Sequence, residues 1–268
     1  MSGPTVAILG VGAIGEAMLR RLLKAGWTSD EISGSARRQD RARQIEAATG
    51  CQIHLDPLDA IKGRQVVVIA VKPRDVPALL PALAGSVEPD QVILSVAAGV
   101  PTTTFEAALG ECQVVRAMPN TPALVGEGVT GVAAGSNVSS EALAAAVSVL
   151  EAVGHVQVMD ETLLDAVTAV SGTGPAYVFL LAEALTEAAI REGLSRDIAE
   201  SFVHQTIRGS GHLLTETGKG PSELRAQVTS PGGTTAAAVH VLEERGFRAL
   251  VEDAVRAAAQ RSRELGGG

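Results

Sequence analysis

The groups best suited to chemistry in this chain are the hydroxyls and backbone amides of three polar turns that are rich in glycine or proline. The turns are MPNTPALVGEG (118–128), SGTGPAY (171–177) and TSPGGTTAAA (229–238). The last two precede apolar or alanine-rich stretches, where hydroxyls and successive N–H groups can bind an anion at a helix start. Ordinary N-capping is the alternative, but one cap needs one hydroxyl rather than a Pro-Gly-Gly-Thr-Thr run. We therefore predict that the turn at 230–235 is a carboxylate site built largely from backbone.

A glycine motif near the N terminus predicts a dinucleotide site. Gly10, Gly12 and Gly15 directly follow the apolar segment 5–9 and open a helical pattern, which is the context that the fingerprint requires. The first glycine permits a tight turn, the second lets the backbone approach a pyrophosphate, and the third allows the helix to lie close to the strand. A glycine-rich turn without a ligand is the alternative interpretation.

The residues after the second predicted strand indicate which dinucleotide binds. An NAD site usually carries Asp or Glu there, but GSARRQDR has no carboxylate at Ser35 or Ala36. Arg37 and Arg38 instead offer guanidinium groups suited to a 2′-phosphate. This pattern favours NADPH and leaves NADH as the alternative cofactor. Both arginines could also simply face solvent, with Asp40 neutralising part of their charge.

Two further loops follow predicted strands and complete the expected cofactor site. AVKP (70–73) ends the central strand, so Lys72 stands where the sheet edge faces a ligand. We interpret this lysine as electrostatic support or a solvated loop residue rather than as a catalytic acid. SVAAGV (95–100) ends the next strand with small residues that leave room for a nicotinamide.

Several other kinds of chemistry are not indicated. The five histidines form no metal-spaced pair and no Cys/His cluster exists, so we expect no metal. A GxSxG nucleophile motif is also absent. The two cysteines lie outside any CxxC pair, which is typical of idle thiols in a reducing compartment. A net charge of -8 argues against nucleic-acid and anionic-membrane partners.

The first part of the chain, residues 1–160, alternates apolar runs with helical patterns, which predicts a parallel sheet with crossover helices. We therefore predict an α/β protein whose N-terminal domain is a Rossmann-like dinucleotide-binding domain. The predicted strands are 5–9, 31–35, 65–71, 91–96, 112–118, 128–135 and 155–159, and the predicted helices are 13–25, 38–49 and 139–152.

The second part, residues 161–268, is almost entirely helical and is predicted to be an all-α domain. The helix at 175–193 is apolar on nearly every face, so we expect it to pack against a second copy of the chain. A compact monomeric bundle is the alternative. Its most apolar run, 176–190, is interrupted by two glutamates and is short for a bilayer. Because no targeting signature precedes it, we expect a cytoplasmic protein without a membrane partner.

The motifs taken together resemble the pyrroline-5-carboxylate reductase family, and they occur in the family's order. They are Gly10-x-Gly12, AVKP (70–73), AAGV (97–100), MPNTP (118–122), SGTGPAYVF (171–179) and VTSPGGTT (228–235). The resemblance implies reduction of 1-pyrroline-5-carboxylate to L-proline, the last step of proline biosynthesis. It also implies that the helical domain is a dimerisation domain and that homodimers assemble into larger rings, such as a decamer of dimers.

The resemblance further implies a set of site residues. Those expected to contact the cofactor, with Ser35 and the two arginines from the argument above, are Leu9, Gly10, Val11, Gly12, Ala13, Ile14, Ser35, Arg37, Arg38, Ala70, Val71, Lys72, Pro73, Val96, Ala97 and Ala98. Those expected to contact the substrate are Asn120, Ser230, Gly232, Gly233, Thr234 and Thr235. The Thr235 hydroxyl would point at the ring nitrogen as the catalytic contact. Thr234 departs from the family by standing where alanine is common.

The chemistry of a cyclic imine fits a site poor in His, Asp and Glu. Once protonated, its carbon accepts a hydride readily, so positioning against the nicotinamide is the main task. Two other functions stay open at this point. One is a related dehydrogenase or imine reductase acting on another small carboxylate, and the other is a non-catalytic dinucleotide sensor.

Overall fold

The computed structural model describes residues 3–266, which fall into two compact units. The first unit comprises residues 3–173 together with 258–266, and the second comprises residues 174–257. The segment 161–173 and the end of the last helix therefore cluster with the N-terminal part of the chain. The predicted domain boundary at 160/161 stays a prediction.

Eight strands among the described residues form one sheet in the first unit. They are β1 Val6–Leu9, β2 Ile32–Ser35, β3 Gln52–His54, β4 Val66–Ile69, β5 Val92–Ser95, β6 Gln113–Met118, β7 Gly128–Ala134 and β8 Gly154–Val158. Their spatial order is β3-β2-β1-β4-β5-β6-β7-β8. The first six follow the 3-2-1-4-5-6 order of dinucleotide-binding sheets, so the chain reverses its winding between β1 and β4.

The helices of the first unit cover both faces of this sheet. They are α1 Ala13–Lys24, α2 Gln39–Thr49, α3 Pro57–Ile61, α4 Val76–Leu83, α5 Thr102–Leu109, α6 Ser140–Glu151 and α7 Leu164–Val167. Along β1, Val6 and Ile8 face one core and Ala7 and Leu9 the other. Burial on both faces explains why β1 and β4 read as unbroken apolar runs, VAIL and VVVI.

The expectation of a wholly parallel sheet is wrong for the last two strands. β7 runs antiparallel to β6, and β8 runs parallel to β7. The link between β6 and β7 is residues 119–127, which contain a short 3-10 turn at Thr121–Val125. A parallel crossover needs roughly a dozen or more residues, so a link of this length favours a direct reversal of the chain.

The second unit is helical throughout its described residues. It holds α8 Gly174–Arg191, α9 Arg196–Glu216, α10 Pro221–Gln227, α11 Thr234–Glu244 and the first part of α12 Phe247–Leu265. Gly193, with φ +101°, ends α8, and its N–H and that of Leu194 bond back to Ile190 and Ala189 at 3.0 and 3.1 Å. This is the Schellman arrangement, in which glycine relieves the strain of the left-handed position.

Large apolar side chains on α8 and α9 are exposed in the single chain. Phe179, Leu180 and Phe202 are each about two-thirds exposed, whereas only Thr186 is buried on α8 and only Ala199 on α9. Side chains of this size are rarely left in water in such number, so these faces need a covering surface.

Among residues 3–266, one helical stretch meets the length and composition of a membrane-spanning helix. It is Glu161–Arg191, which is longer than the apolar run at 176–190 considered above, so the length argument against a membrane span is wrong. The core helix of a soluble protein passes the same criterion. The absence of a membrane partner therefore stays a prediction.

Candidate active site

The carboxyl ends of four neighbouring parallel strands meet at one edge of the sheet. Leu9 of β1 is in register with Ser35 of β2 and with Ile69 of β4, which is in register with Ser95 of β5. The predicted cofactor residues lie at the ends of these strands, in the loops that follow them and, for Ala13 and Ile14, at the start of α1. Ligands of such sheets bind outside this edge where the winding reverses, so the register brings the predicted cofactor loops together at the expected place.

The glycine loop has the geometry that a pyrophosphate site requires. Gly10 has φ +94°, and its N–H and that of Val11 donate to the Ser35 carbonyl at 3.1 and 3.0 Å. A Cβ on Gly15 would overlap the Gly10 carbonyl oxygen, so glycine lets α1 start close against the strand. A Cβ on Gly12 would meet no atom within 4 Å. The packing of the chain itself therefore does not require glycine at position 12, and the open space beside Gly12 fits a bound dinucleotide.

The two arginines after β2 are available to a ligand. Arg37 is exposed and lies 3.4 Å from the Asp75 carboxylate, and Arg38 lies 3.4 Å from Asp40. Pairs this long and this exposed contribute little, so a phosphate could displace them. Ser35 differs from both, because its residue is buried and its carbonyl holds the glycine loop.

The other two cofactor loops are tied to the sheet through backbone bonds. The Ala70 N–H donates to the Leu9 carbonyl at 2.8 Å, and the Val96 N–H donates to the Ile69 carbonyl at 3.1 Å. Val71 is half-buried and Ala97 is buried, whereas Lys72 and Pro73 are exposed. These positions suit a supporting role for Lys72 in solvent at the sheet edge.

A partly buried ionic network joins Thr102, Arg116 and Glu161, and sequence reasoning missed it. The Glu161 carboxylate accepts from the Thr102 N–H at 2.9 Å, from the Thr102 hydroxyl at 2.6 Å and from Arg116 Nη1 at 2.9 Å. Burial raises the pKa of Glu161, but these donors outweigh burial and hold this pKa below the usual value of a glutamate. Glu161 thereby caps α5, whose own N-cap is Pro101. The arginine inside the apolar strand CQVVRAM was the one available signal.

Asn120, predicted to contact substrate, is buried and its side chain is engaged on both sides. Its Nδ2 donates to the Ser171 carbonyl at 3.1 Å, and its Oδ1 accepts from the Val129 N–H at 2.9 Å. Four residues after Ser171 stands Pro175, which has no N–H for that carbonyl. The asparagine thus supplies a donor that proline removes, and its contact with substrate stays a prediction.

The SGTGPAY segment is not the open turn that we expected. Thr168–Gly172 form a π-helical turn that leads into α8. The Ser171 hydroxyl donates to the Val167 carbonyl at 2.9 Å, and the Thr173 hydroxyl donates to the Thr168 carbonyl at 2.9 Å. Both hydroxyls therefore bond to carbonyls of their own helical segment and are not free to bind a ligand.

The SPGGTT segment of the second unit forms an open turn at a helix start. The Gly233 N–H donates to the Ser230 carbonyl at 3.0 Å, and Gly232 has φ +69°. With Pro231 at its second position, this is a type II turn. A Cβ on Gly233 would overlap the Ser230 hydroxyl oxygen. The two glycines are thus needed for different reasons. Gly232 supplies the positive φ, and Gly233 leaves room for the Ser230 side chain.

The donors at the start of α11, which follows this turn, are unpaired within residues 3–266. The first helical bond of α11 runs from the Ala237 N–H to the Gly233 carbonyl at 3.2 Å, and the N–H groups of residues 234–236 have no acceptor there. The N-cap has no side-chain hydrogen bond, and no hydroxyl of Ser230, Thr234 or Thr235 has a partner in this part of the chain. Ordinary capping therefore does not account for the segment, and its donors suit an anion.

Neither cysteine nor any acidic cluster adds a second kind of site. Both Cys51 and Cys112 are buried, and burial raises the pKa of each thiol. Across residues 3–266, no group of three or more His, Cys, Asp or Glu side chains is arranged to hold a metal ion.

The fold and its cofactor loops define an oxidoreductase that binds a nicotinamide dinucleotide, and comparison with known proteins narrows this class. Residues 5–99 match the family described as NADP oxidoreductase coenzyme F420-dependent, and residues 161–265 match the family described as pyrroline-5-carboxylate reductase dimerisation. The Methanosarcina acetivorans pyrroline-5-carboxylate reductase is 38% identical, over 99% of both chains.

Solved structures agree with the sequence comparisons. The pyrroline-5-carboxylate reductase of Coxiella burnetii has 35% identity and a TM-score of 0.93, covering 98% of this chain and 99% of that one. The Plasmodium falciparum pyrroline carboxylate reductase, solved with NADP bound, has 28% identity and a TM-score of 0.88, covering 99% of both. This chain belongs to the pyrroline-5-carboxylate reductase family.

Family membership confirms the resemblance drawn from the motifs. It also confirms the predicted α/β class with an N-terminal Rossmann-like domain and a C-terminal dimerisation domain, the oxidoreductase assignment and the nicotinamide cofactor. The individual contact residues stay predictions.

Proposed function

We propose that this chain reduces 1-pyrroline-5-carboxylate to L-proline with NADPH, as the last step of proline biosynthesis in the cytoplasm. The observation that carries the proposal is the set of unpaired amides and hydroxyls at the start of α11, within a chain of this family. The substrate has one carboxylate, and a helix start with free N–H groups is suited to one such group.

In this proposal the turn holds the carboxylate and the neighbouring hydroxyl orients the ring. Ser230 and the backbone from Gly232 to Thr235 bind the acid group. The Thr235 hydroxyl hydrogen-bonds to the ring nitrogen, and Asn120 supports the substrate site. NADPH supplies the hydride for the C=N carbon. Because a protonated imine is already a good acceptor, orientation rather than a strong protein acid is the contribution of the chain.

The cofactor is assigned to the loops at the edge of the sheet. The glycine loop, residues 9–14, holds the pyrophosphate, and residues 70–73 and 96–98 line the remainder. Arg37 and Arg38 bind the 2′-phosphate, which gives NADPH the advantage over NADH.

The working unit in this proposal is a homodimer, from which a decamer of dimers is built. The support is the match of residues 161–265 to a dimerisation family and the exposed apolar side chains of α8 and α9. A groove of about 680 Å³ between these helices, lined among others by Val178, Phe179 and Ile207, is open in the single chain. A second copy would cover it.

The proposal is tested by following the loss of NADPH absorbance with 1-pyrroline-5-carboxylate as substrate. Thr235→Ala should lower kcat/KM by roughly 10- to 1000-fold, the range for one positioned hydrogen bond, and Thr235→Ser should retain most of the activity. Thr229→Ala is the matched control, because that hydroxyl already donates to the Arg225 carbonyl at 2.6 Å.

Other outcomes would point to the alternatives. Turnover of a different imine or hydroxy acid, with none of the pyrroline acid, would indicate a sister enzyme. Cofactor binding without turnover of any imine would indicate a dinucleotide sensor. Wild-type kinetics in Thr235→Ala would show that the Thr235 hydroxyl has no part in the mechanism. The assignment of the reaction, reduction of 1-pyrroline-5-carboxylate, would not change.

A further inference from the structure

Arg41, in the first turn of α2, reaches out of its own helix to the glycine loop. Its Nε donates to the Val11 carbonyl at 3.2 Å, and its Nη2 pairs closely with the Glu16 carboxylate in the first turn of α1. Both side chains are about three-quarters buried. No other hydrogen bond to the Val11 carbonyl occurs within residues 3–266. One guanidinium thus ties α2 to the loop and to the helix that the loop opens.

The bond to Val11 fixes the orientation of a peptide in the middle of the fingerprint. The planar Val11–Gly12 peptide carries the carbonyl that Arg41 holds and, on its opposite side, the Gly12 N–H, which donates to the Gly10 carbonyl at 2.7 Å. The Ser35 carbonyl holds the N–H groups of Gly10 and Val11, so Arg41 and the Gly10 carbonyl together constrain the peptide that follows Val11. If this peptide turned over, both of its bonds would break and its carbonyl oxygen would face the side now taken by the N–H.

The pair with Glu16 also changes the charge beside the loop. A carboxylate in the first turn of α1 repels a nearby phosphate unless a cation balances it. Burial raises the pKa of Glu16, but hydrogen bonds and charge from Arg20 and Arg41 outweigh burial and hold this pKa below the usual value of a glutamate. Arg20 and Arg41 therefore keep this carboxylate paired rather than free to face a ligand.

We infer that Arg41 is a positioning residue for cofactor binding, which holds the Val11–Gly12 peptide and pairs Glu16 so that the loop accepts a pyrophosphate. The inference rests on the proposed function only in taking the ligand to be a nicotinamide dinucleotide. It assigns Arg41 a role distinct from that of Arg37 and Arg38. They recognise a group found only in NADPH, whereas the pyrophosphate is common to NADPH and NADH.

The test compares Arg41→Gln and Arg41→Lys with Arg43→Gln in the full-length protein. Arg43 lies on the same helix, is exposed and has no ion pair within residues 3–266, so it is the matched control. Calorimetry would give Kd for NADPH and for NADH. Hydrogen exchange of peptides spanning residues 8–14, in cofactor-free protein, would report on the loop itself.

For Arg41→Gln we expect Kd to rise about 10-fold for both dinucleotides, the loss of one charge-assisted hydrogen bond. KM for NADPH should rise with kcat little changed, and the loop amides should exchange faster in the absence of ligand. Arg41→Lys should fall between Arg41→Gln and the wild type, because it keeps the charge but not the fork.

Three results would overturn the inference. A rise in Kd for NADPH alone would show that Arg41 binds the 2′-phosphate directly. A lower Tm with unchanged Kd values and unchanged loop exchange would show a purely structural role, and wild-type values throughout would show none. A wild-type protein that binds neither dinucleotide would contradict the proposed function instead, while loop exchange would still report whether Arg41 holds the loop.

Discussion

Replacing Gly12 and Gly15 separately by alanine should distinguish a glycine required by a ligand from a glycine required by packing. Both belong to the same fingerprint, yet their surroundings differ. The space around a Cβ on Gly12 is open to 4 Å, whereas a Cβ on Gly15 would overlap the Gly10 carbonyl oxygen and lie 3.1 Å from Ile8 Cγ2. We expect Gly12→Ala to fold normally and bind the cofactor poorly, and Gly15→Ala to be destabilised.

The expected magnitudes follow from these contacts. Overpacking against backbone costs about 1–3 kcal/mol, of which the better helix propensity of alanine offsets up to about 1 kcal/mol. For Gly15→Ala this leaves about 1–2 kcal/mol, or a fall in Tm of roughly 2–8 °C. Gly12 has φ −87° and ψ −153°, which alanine can adopt. Compared with glycine, alanine is a poorer N-cap, which destabilises the protein, but it has a lower unfolded-state entropy, which stabilises it. Each effect is below about 1 kcal/mol, and the two oppose one another.

Thermal unfolding and dinucleotide titration of the two variants would check this reasoning. Gly220→Ala is the control, since Gly220 is also an N-cap glycine without a neighbour within 4 Å of its Cβ, and it lies outside the cofactor loops. Gly12→Ala should raise Kd about 10-fold or more for NADPH and NADH alike, with Tm within about 2 °C of wild type. Unchanged Kd in Gly12→Ala would mean that the open space is not where the pyrophosphate binds, and a fully stable Gly15→Ala would refute the packing argument.

Three further predictions concern polar groups of the first unit. Thr130→Val should raise Tm by a few degrees in a melting experiment, because the buried Thr130 hydroxyl has no partner in the described chain. An unsatisfied buried hydroxyl costs about 1–2 kcal/mol of stability. Thr102→Val is the comparison and should lower Tm, because it loses a hydrogen bond to a carboxylate. The pKa of Glu161 is lowered in the folded protein, so its carboxylate stabilises the fold at pH values above the usual pKa of a glutamate. The stability gap between wild type and Glu161→Gln, measured by urea unfolding, should shrink as pH falls through the folded pKa, and a gap independent of pH would contradict the network. Asp75→Asn should release Arg37 and lower Kd for NADPH by no more than a few-fold without changing Kd for NADH, since the pair is long and exposed; equal shifts for both cofactors would refute it.

The doubly covered sheet was predictable because burial on both faces leaves a direct mark on composition. β1 and β4 are apolar at every position, and the loops after them carry the fingerprint and its neighbours. The direction of β7 was not predictable from its own residues, since the apolar pattern of a strand is the same whichever way it runs. It depends on the link at 119–127, whose length alone carried the signal.

The glycine loop could be read from its sequence, but the side chains that hold it could not. Arg41 and Val11 are 30 residues apart, and Arg116 and Glu161 are 45 residues apart. Pairs of this kind arise from the order of strands in the sheet rather than from local spacing. An arginine within an apolar strand is nevertheless a usable warning, because a buried guanidinium needs a partner. The apolar strand around Arg116 therefore indicated that this arginine has a buried partner, whereas the polar pattern of α2 gave no such indication for Arg41.

Two turns of similar composition have opposite structures, and the position of proline explains the difference. In SPGGTT, Pro231 precedes α11 and occupies the second place of a tight turn, where its fixed φ is favourable and its missing N–H costs nothing. In SGTGPAY, Pro175 lies inside a helical run, so the carbonyl four residues earlier must find another donor. Asn120 provides it, and nearby hydroxyls bond to the π-helical turn. Of these two turns, the one whose proline stands before the first helical turn keeps unpaired donors, and it is the turn proposed to bind the substrate carboxylate.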